Sequence, residues 1–120
     1  MARVIRSLML VEAATFIVAA AIHGGFLIDG YEHDEARIAE TAIGLVLLGG
    51  VMLSWFRPTW TRTAGLAAQG FALFWTLVGI VTIAIGVGPR TVPDVVYHVA
   101  IVALLARGLV MARRARVPAA

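Results

Sequence analysis

Apolar positions dominate this chain, and the few polar positions punctuate it. Stretches free of Asp, Glu and Arg run over 13–28, 41–56, 63–89 and 95–106, and there is no Lys. A membrane-crossing helix needs roughly 20 mostly apolar residues. The third stretch supplies that length by itself; the others reach it by taking in one charged residue each, namely Glu12, Glu40, and either Asp94 or Arg107. Start and stop signals then predict helices over 8–29, 36–56, 64–86 and 92–112. The expected fold class is all-α, an integral membrane four-helix bundle formed by one transmembrane domain over 1–120.

The connections agree with this division. Arg57-Pro58-Thr59-Trp60-Thr61-Arg62 is a short polar turn containing a helix breaker, and Gly86-Val87-Gly88-Pro89-Arg90 is a Gly/Pro turn. Thr91 reads as the N-cap of the last helix, with Asp94 three residues on, able to reach back to free backbone amides. The longest polar segment is 29–37, where His33 stands beside Glu32, Asp34 and Glu35 and is expected to be solvated. Gly24-Gly25 is expected to loosen the far end of the first helix.

Composition turns this pattern into a class. The chain has 120 residues, 61% hydrophobic and 14% charged, with a mean hydropathy of +0.92, whereas soluble domains are about 25% charged. That excludes an ordinary water-soluble globule and intrinsic disorder. The absence of Cys excludes disulfides and thiolate metal sites.

Charge sets an expected orientation. Arg3, Arg6, Arg57, Arg62, Arg107, Arg113, Arg114 and Arg116 fall on the side that four spans give to both termini, leaving Arg37 and Arg90 opposite. The positive-inside rule therefore predicts both termini in the cytoplasm (N-in/C-in) of a bacterial-type inner membrane. The pI of about 10.6 reads as topology and attraction to anionic headgroups, so the bilayer is the expected partner and nucleic acid is not. A cleaved signal peptide is disfavoured by Glu12 within the first apolar stretch. Trp55, Trp60 and Tyr31 read as interfacial anchors, while Trp75 lies mid-span, where packing, lipid contact or ligand stacking all suit it.

Chemistry must come from polar groups inside the spans, because an ionisable side chain at membrane depth costs about 2.5–3.5 kcal/mol on insertion scales and so needs a partner, a wet pocket or a purpose. On the predicted boundaries His23 and His98 both lie about 9 Å inside from the outer face, Glu40 about 6 Å and Asp94 shallower. His23, Glu40, Asp94 and His98 thus form a candidate ligand or relay cluster in the outer half. Glu12 is left in the cytoplasmic half, level with Gln69, and a Glu12–Gln69 hydrogen bond is the economical expectation. Arg90 is placed one turn from Asp94 and is expected to pair with it. Ala64, Ala68, Ala72 and Thr76 form a small-residue stripe suited to close helix approach, within the bundle or in a homo-oligomer or larger membrane complex.

Several functions fit the outer cluster. His23, His98 and Glu40 could bind zinc or iron as a two-His, one-carboxylate set, or the two histidines could be axial ligands of a haem. A carboxylate–imidazole proton relay or a pocket for a small ligand is a third reading, since His titrates near neutral pH. Simple interhelical hydrogen bonding, with no cofactor, is the plainest. No His-Glu-x-x-His pair, phosphate loop or nucleophile elbow is present, which leans away from an enzyme. The lead expectation is an accessory or structural membrane subunit, with the binding, redox or relay module as the alternative.

Gly86-Val87-Gly88-Pro89-Arg90-Thr91-Val92-Pro93-Asp94, followed by Tyr97-His98, resembles a segment of small four-span bacterial inner-membrane proteins, and the topology is similar to that of the DoxX-like group. The resemblance implies four spans and a linked feature at Arg90, Asp94 and His98; it implies no activity, substrate or cofactor.

Overall fold

The computed structural model describes residues 1–116, so residues 117–120 of the expected domain lie outside it. Four helices account for nearly all of it: α1 (Ala2–His23), α2 (Asp34–Phe56), α3 (Thr61–Ala84) and α4 (Val92–Arg114), with a single 3₁₀ turn, Pro58–Trp60, leading into α3. No strand occurs among the described residues. Each of the four is long and apolar enough to cross a membrane.

The largest departure from the expected boundaries is in α1, which begins and ends six residues early, at 2 and 23 instead of 8 and 29. Nothing in Ala2-Arg3-Val4-Ile5-Arg6 breaks a helix, and burial favours this start: Ile5 and Met9 are fully enclosed. Arg6 need not stay outside either. Its Nε donates to Ser54 Oγ at 2.7 Å and its terminal nitrogen to the Ser54 carbonyl at 2.5 Å, near the end of α2, while Ser54 and Thr61 share a 2.8 Å hydroxyl contact. At the other end the Gly24-Gly25 pair stops the helix outright. Gly24 N–H still bonds the Ala20 carbonyl, and Gly25 takes a φ of 73°, a left-handed value that costs glycine nothing.

Sequential helices pack side by side, α1 on α2, α2 on α3 and α3 on α4, while α1 meets α4 less extensively. Met1, Pro58, Arg62 and Arg114 border one cavity, which places the start of α1, the end of α4 and the α2–α3 turn together at one end of the bundle, called here the terminal end. His33 and Val87–Pro89 border another, placing the α1–α2 and α3–α4 connections at the opposite, loop end.

The small-residue stripe of α3 is consumed inside the bundle. Ala64, Ala68, Ala72 and Thr76 are all buried, and a methyl group added at Gly50 of α2 would come within 2.8 Å of the Ala68 Cβ. Lipid tails are as apolar as Leu, so helices in a bilayer gain from close backbone approach, not from exclusion of apolar surface. The stripe therefore holds α3 against its neighbours and offers no surface to a second copy. The exterior is apolar: Phe74, Val96, Val99 and Phe56 are well exposed, while Glu12, Gln69, His23, Glu40 and Asp94 are enclosed. A water-soluble bundle has the reverse arrangement.

Candidate functional site

Two polar clusters lie buried in the bundle, one towards each end. Towards the terminal end, Gln69 Nε2 of α3 donates to both carboxylate oxygens of Glu12 on α1, at 3.1 and 3.0 Å. Both residues are completely enclosed. The space for them comes from α4: a methyl at Gly108 would fall on the Gln69 amide and lie within 2.6 Å of Glu12 Oε1. Gly108 is a residue that the sequence reading misses. The available signal is a glycine in mid-helix, which costs about 1 kcal/mol relative to Ala and so asks for a packing reason.

At the loop end, His23 is the last residue of α1 and stands between two carboxylates. Its Nδ1 lies 2.7 Å from Glu40 Oε2 of α2, and its Nε2 lies 3.0 Å from Asp94 Oδ1 of α4. All three side chains are buried. Asp94 is also held from its own helix start. Thr91 and Asp94 form a capping box, in which the Thr91 amide and hydroxyl both donate to Asp94 Oδ2. One imidazole thus ties three helices together.

The hydrogen-bonding capacity of the three side chains sets the protons this array carries. A neutral imidazole has one N–H and one bare nitrogen, and an ionised carboxylate only accepts. A bare nitrogen facing a bare carboxylate sets lone pair against lone pair. Both contacts are satisfied when the ring donates from both nitrogens, or when one carboxyl is protonated and donates to the ring. In either form the array holds one proton more than a neutral histidine and two free carboxylates would.

This grouping corrects three expectations. His98 does not join His23. With α1 ending at His23, that residue lies level with the start of α4, where Asp94 is, whereas His98 is six residues into α4, about 9 Å deeper. The His98 Nδ1 donates instead to the Asp94 carbonyl at 2.7 Å. Nor does Arg90 pair with Asp94, both of whose oxygens are already engaged; Arg90 is exposed and donates to the Ala84 carbonyl at 3.4 Å. His33, finally, is half-buried and structural: Nδ1 accepts from the Ala36 amide as the N-cap of α2, and Nε2 lies 3.4 Å from the Val87 carbonyl.

The metal and haem readings lose their geometry in the same way. Among the described residues no group of three or more His, Asp and Glu side chains is placed to hold a metal ion. His23 has carboxylates on both ring nitrogens, leaving no lone pair for a ligand bond, and His98 faces a different space.

That space is a cavity of about 230 Å³ between α2, α3 and α4. Glu40, Trp75, Thr76, Gly79, Tyr97 and His98 are among its lining residues. Two hydrogen-bonding atoms of the residues around it are unused, one enclosed and one open to the cavity. The Tyr97 hydroxyl is buried without a partner. His98, with its Nδ1 proton committed to a carbonyl, has an Nε2 with no partner among the described residues, close to where a side chain at Gly79 would begin, 3.6 Å away. A larger, shallower groove of about 670 Å³ between α1 and α4 reaches His23 and Asp94 from the other side. Tyr97 lines both spaces and stands edge-on to Phe16.

No family model, curated protein or solved structure matches this chain. What defines it is its own architecture: four helices able to cross a membrane, enclosing a carboxylate–imidazole–carboxylate array beside a cavity.

Proposed function

We propose that this chain is a multi-pass protein of a bacterial-type inner membrane, both termini cytoplasmic, that binds a small hydrogen-bonding molecule between α2, α3 and α4. Glu40 is part of the wall of that site and links it to the proton-holding Glu40–His23–Asp94 array behind. The observation that carries this reading is the double role of Glu40, which bonds the His23 ring and lines the same cavity as Tyr97 and His98. A proton held by the array is one residue away from anything bound there. The arginine distribution supports the orientation, putting the array in the outer half. An accessory role through the α3 stripe has less support, because the stripe is buried within this chain.

Native mass spectrometry of the protein extracted together with its surrounding lipid, without detergent exchange, tests the site. The parent is expected to carry a small molecule near one per chain. Gly79→Phe, which fills the cavity opposite His98, and His98→Ala should each lose it while retaining helical circular dichroism. Identical bound-mass profiles for the parent and both folded variants would remove the binding reading.

A further inference from the structure

The α2–α3–α4 cavity has a roof and an open side. Towards the loop end it is covered by His33, Val87, Gly88 and Pro89, and the 3.4 Å contact from His33 Nε2 to the Val87 carbonyl joins the start of α2 to the α3–α4 connection. Towards α2 and α3 it adjoins a second space of about 440 Å³. Glu35, Ala39, Ile43 and Trp75 line both. The outer space is otherwise walled by Ile38, Ala42 and Phe71, on the apolar exterior that a bilayer would cover. Ala39 is the small residue at the junction, and Trp75, 45% exposed, stands beside it.

Charge narrows the occupant further. The titratable groups lining the two spaces are Glu35, Glu40, His33, Tyr97 and His98, and no arginine is among them. A phosphate headgroup would meet carboxylates without a cation to offset them, and Glu40 is already committed to His23. The unused acceptor, His98 Nε2, is matched by an uncharged head bearing a hydroxyl group that donates to it.

We infer that the ligand is an uncharged, phosphate-free membrane lipid that enters sideways from the bilayer between α2 and α3. Its head hydroxyl reaches His98 Nε2 past Ala39, and its apolar tail lies along Ile38, Ala42 and Phe71. This rests on the binding site proposed above and adds the chemical class and the route. Because lipid and groove are equally apolar, the tail contributes little selectivity; the head, desolvated inside the cavity, supplies it.

The test uses Trp75 as the reporter, in a Trp55→Phe/Trp60→Phe background reconstituted in phosphatidylcholine nanodiscs. The probes are a monoacylglycerol and a phosphatidylglycerol carrying the same dibrominated chain, whose bromines quench a neighbouring indole. The monoacylglycerol is expected to reach half-quenching at a mole fraction about ten-fold lower than the phosphatidylglycerol, a difference the size of one well-made hydrogen bond. Ala39→Phe, which closes the junction, should abolish that preference and leave the two lipids equal. Equal quenching in the parent overturns the lipid class, and a preference that survives Ala39→Phe overturns the lateral route. Failure of the lipid class is separable from failure of the site itself: a molecule retained in native spectra and lost in Gly79→Phe, alongside equal quenching, keeps the site and discards the lipid.

Discussion

Glu12–Gln69 and Glu40–His23–Asp94 are built from the same materials, buried carboxylates bonded across helices, yet they are surrounded differently. The first is sealed. Neither Glu12 nor Gln69 lines any of the four cavities described, and the Gly108 backbone closes over them. The second lies between cavities, with Asp94 and His23 facing one and Glu40 the other. A buried polar group becomes a candidate site when something else can reach it. Enclosure, more than residue type, separates the fastening from the site.

The largest effect is expected at His23. Removing the imidazole leaves Glu40 and Asp94 without their shared partner, and deleting one member of a buried ionic set costs about 3–5 kcal/mol. His23→Ala should therefore produce the largest loss of thermal stability in mild detergent. Adding Glu40→Gln to His23→Ala should recover part of the loss, because one uncompensated carboxylate is then gone. A fully additive double mutant would show that the array is not an energetic unit.

Next in size is Gly108→Ala at the sealed cluster. Overpacking of a filled interior costs about 1–3 kcal/mol, and the added methyl also displaces the Gln69 amide from Glu12. A Tm equal to that of the parent would show that α4 does not close this cluster. Glu12→Gln should be milder, since interhelical polar contacts in membranes average about 0.6 kcal/mol and an amide keeps the shape. It should also leave ligand retention in native spectra untouched, whereas Glu40→Gln should reduce it; equal effects on retention would erase the distinction between the clusters.

Arg90→Ala should do least. Its side chain is exposed and its hydrogen bond among the described residues goes to the Ala84 carbonyl, and surface substitutions of this kind stay within about 0.5 kcal/mol. A large drop in Tm would instead place Arg90 in a pairing with Asp94 that the observed geometry does not contain.

Much of the fold was legible because the signals are local. The apolar stretches place four helices, Pro58 and Gly86 fall in connections, and the Thr91–Asp94 capping box is readable from spacing. Glu12 and Gln69 could be matched by depth, since an enclosed carboxylate needs a donor and Gln69 is the polar group at its level. The loop-end site was less legible, and the cause is a single boundary. The expected end of α1 at 29 lies six residues beyond the observed end at 23, and that displacement puts His98 in place of Asp94 as the second partner of His23.

Local patterning is enough to specify long apolar helices, because backbone polar groups in an apolar setting must be satisfied within each segment, and to require partners for the few ionisable residues. Helix packing selects those partners. Helix ends set by Gly24-Gly25, the close approach allowed at Gly50 and Gly108, and the gap left between α2, α3 and α4 are properties of neighbouring helices taken together. A difference of one or two turns along α1 is small in sequence, but at 1.5 Å per residue it is about 9 Å, three times the length of the hydrogen bond it redirects.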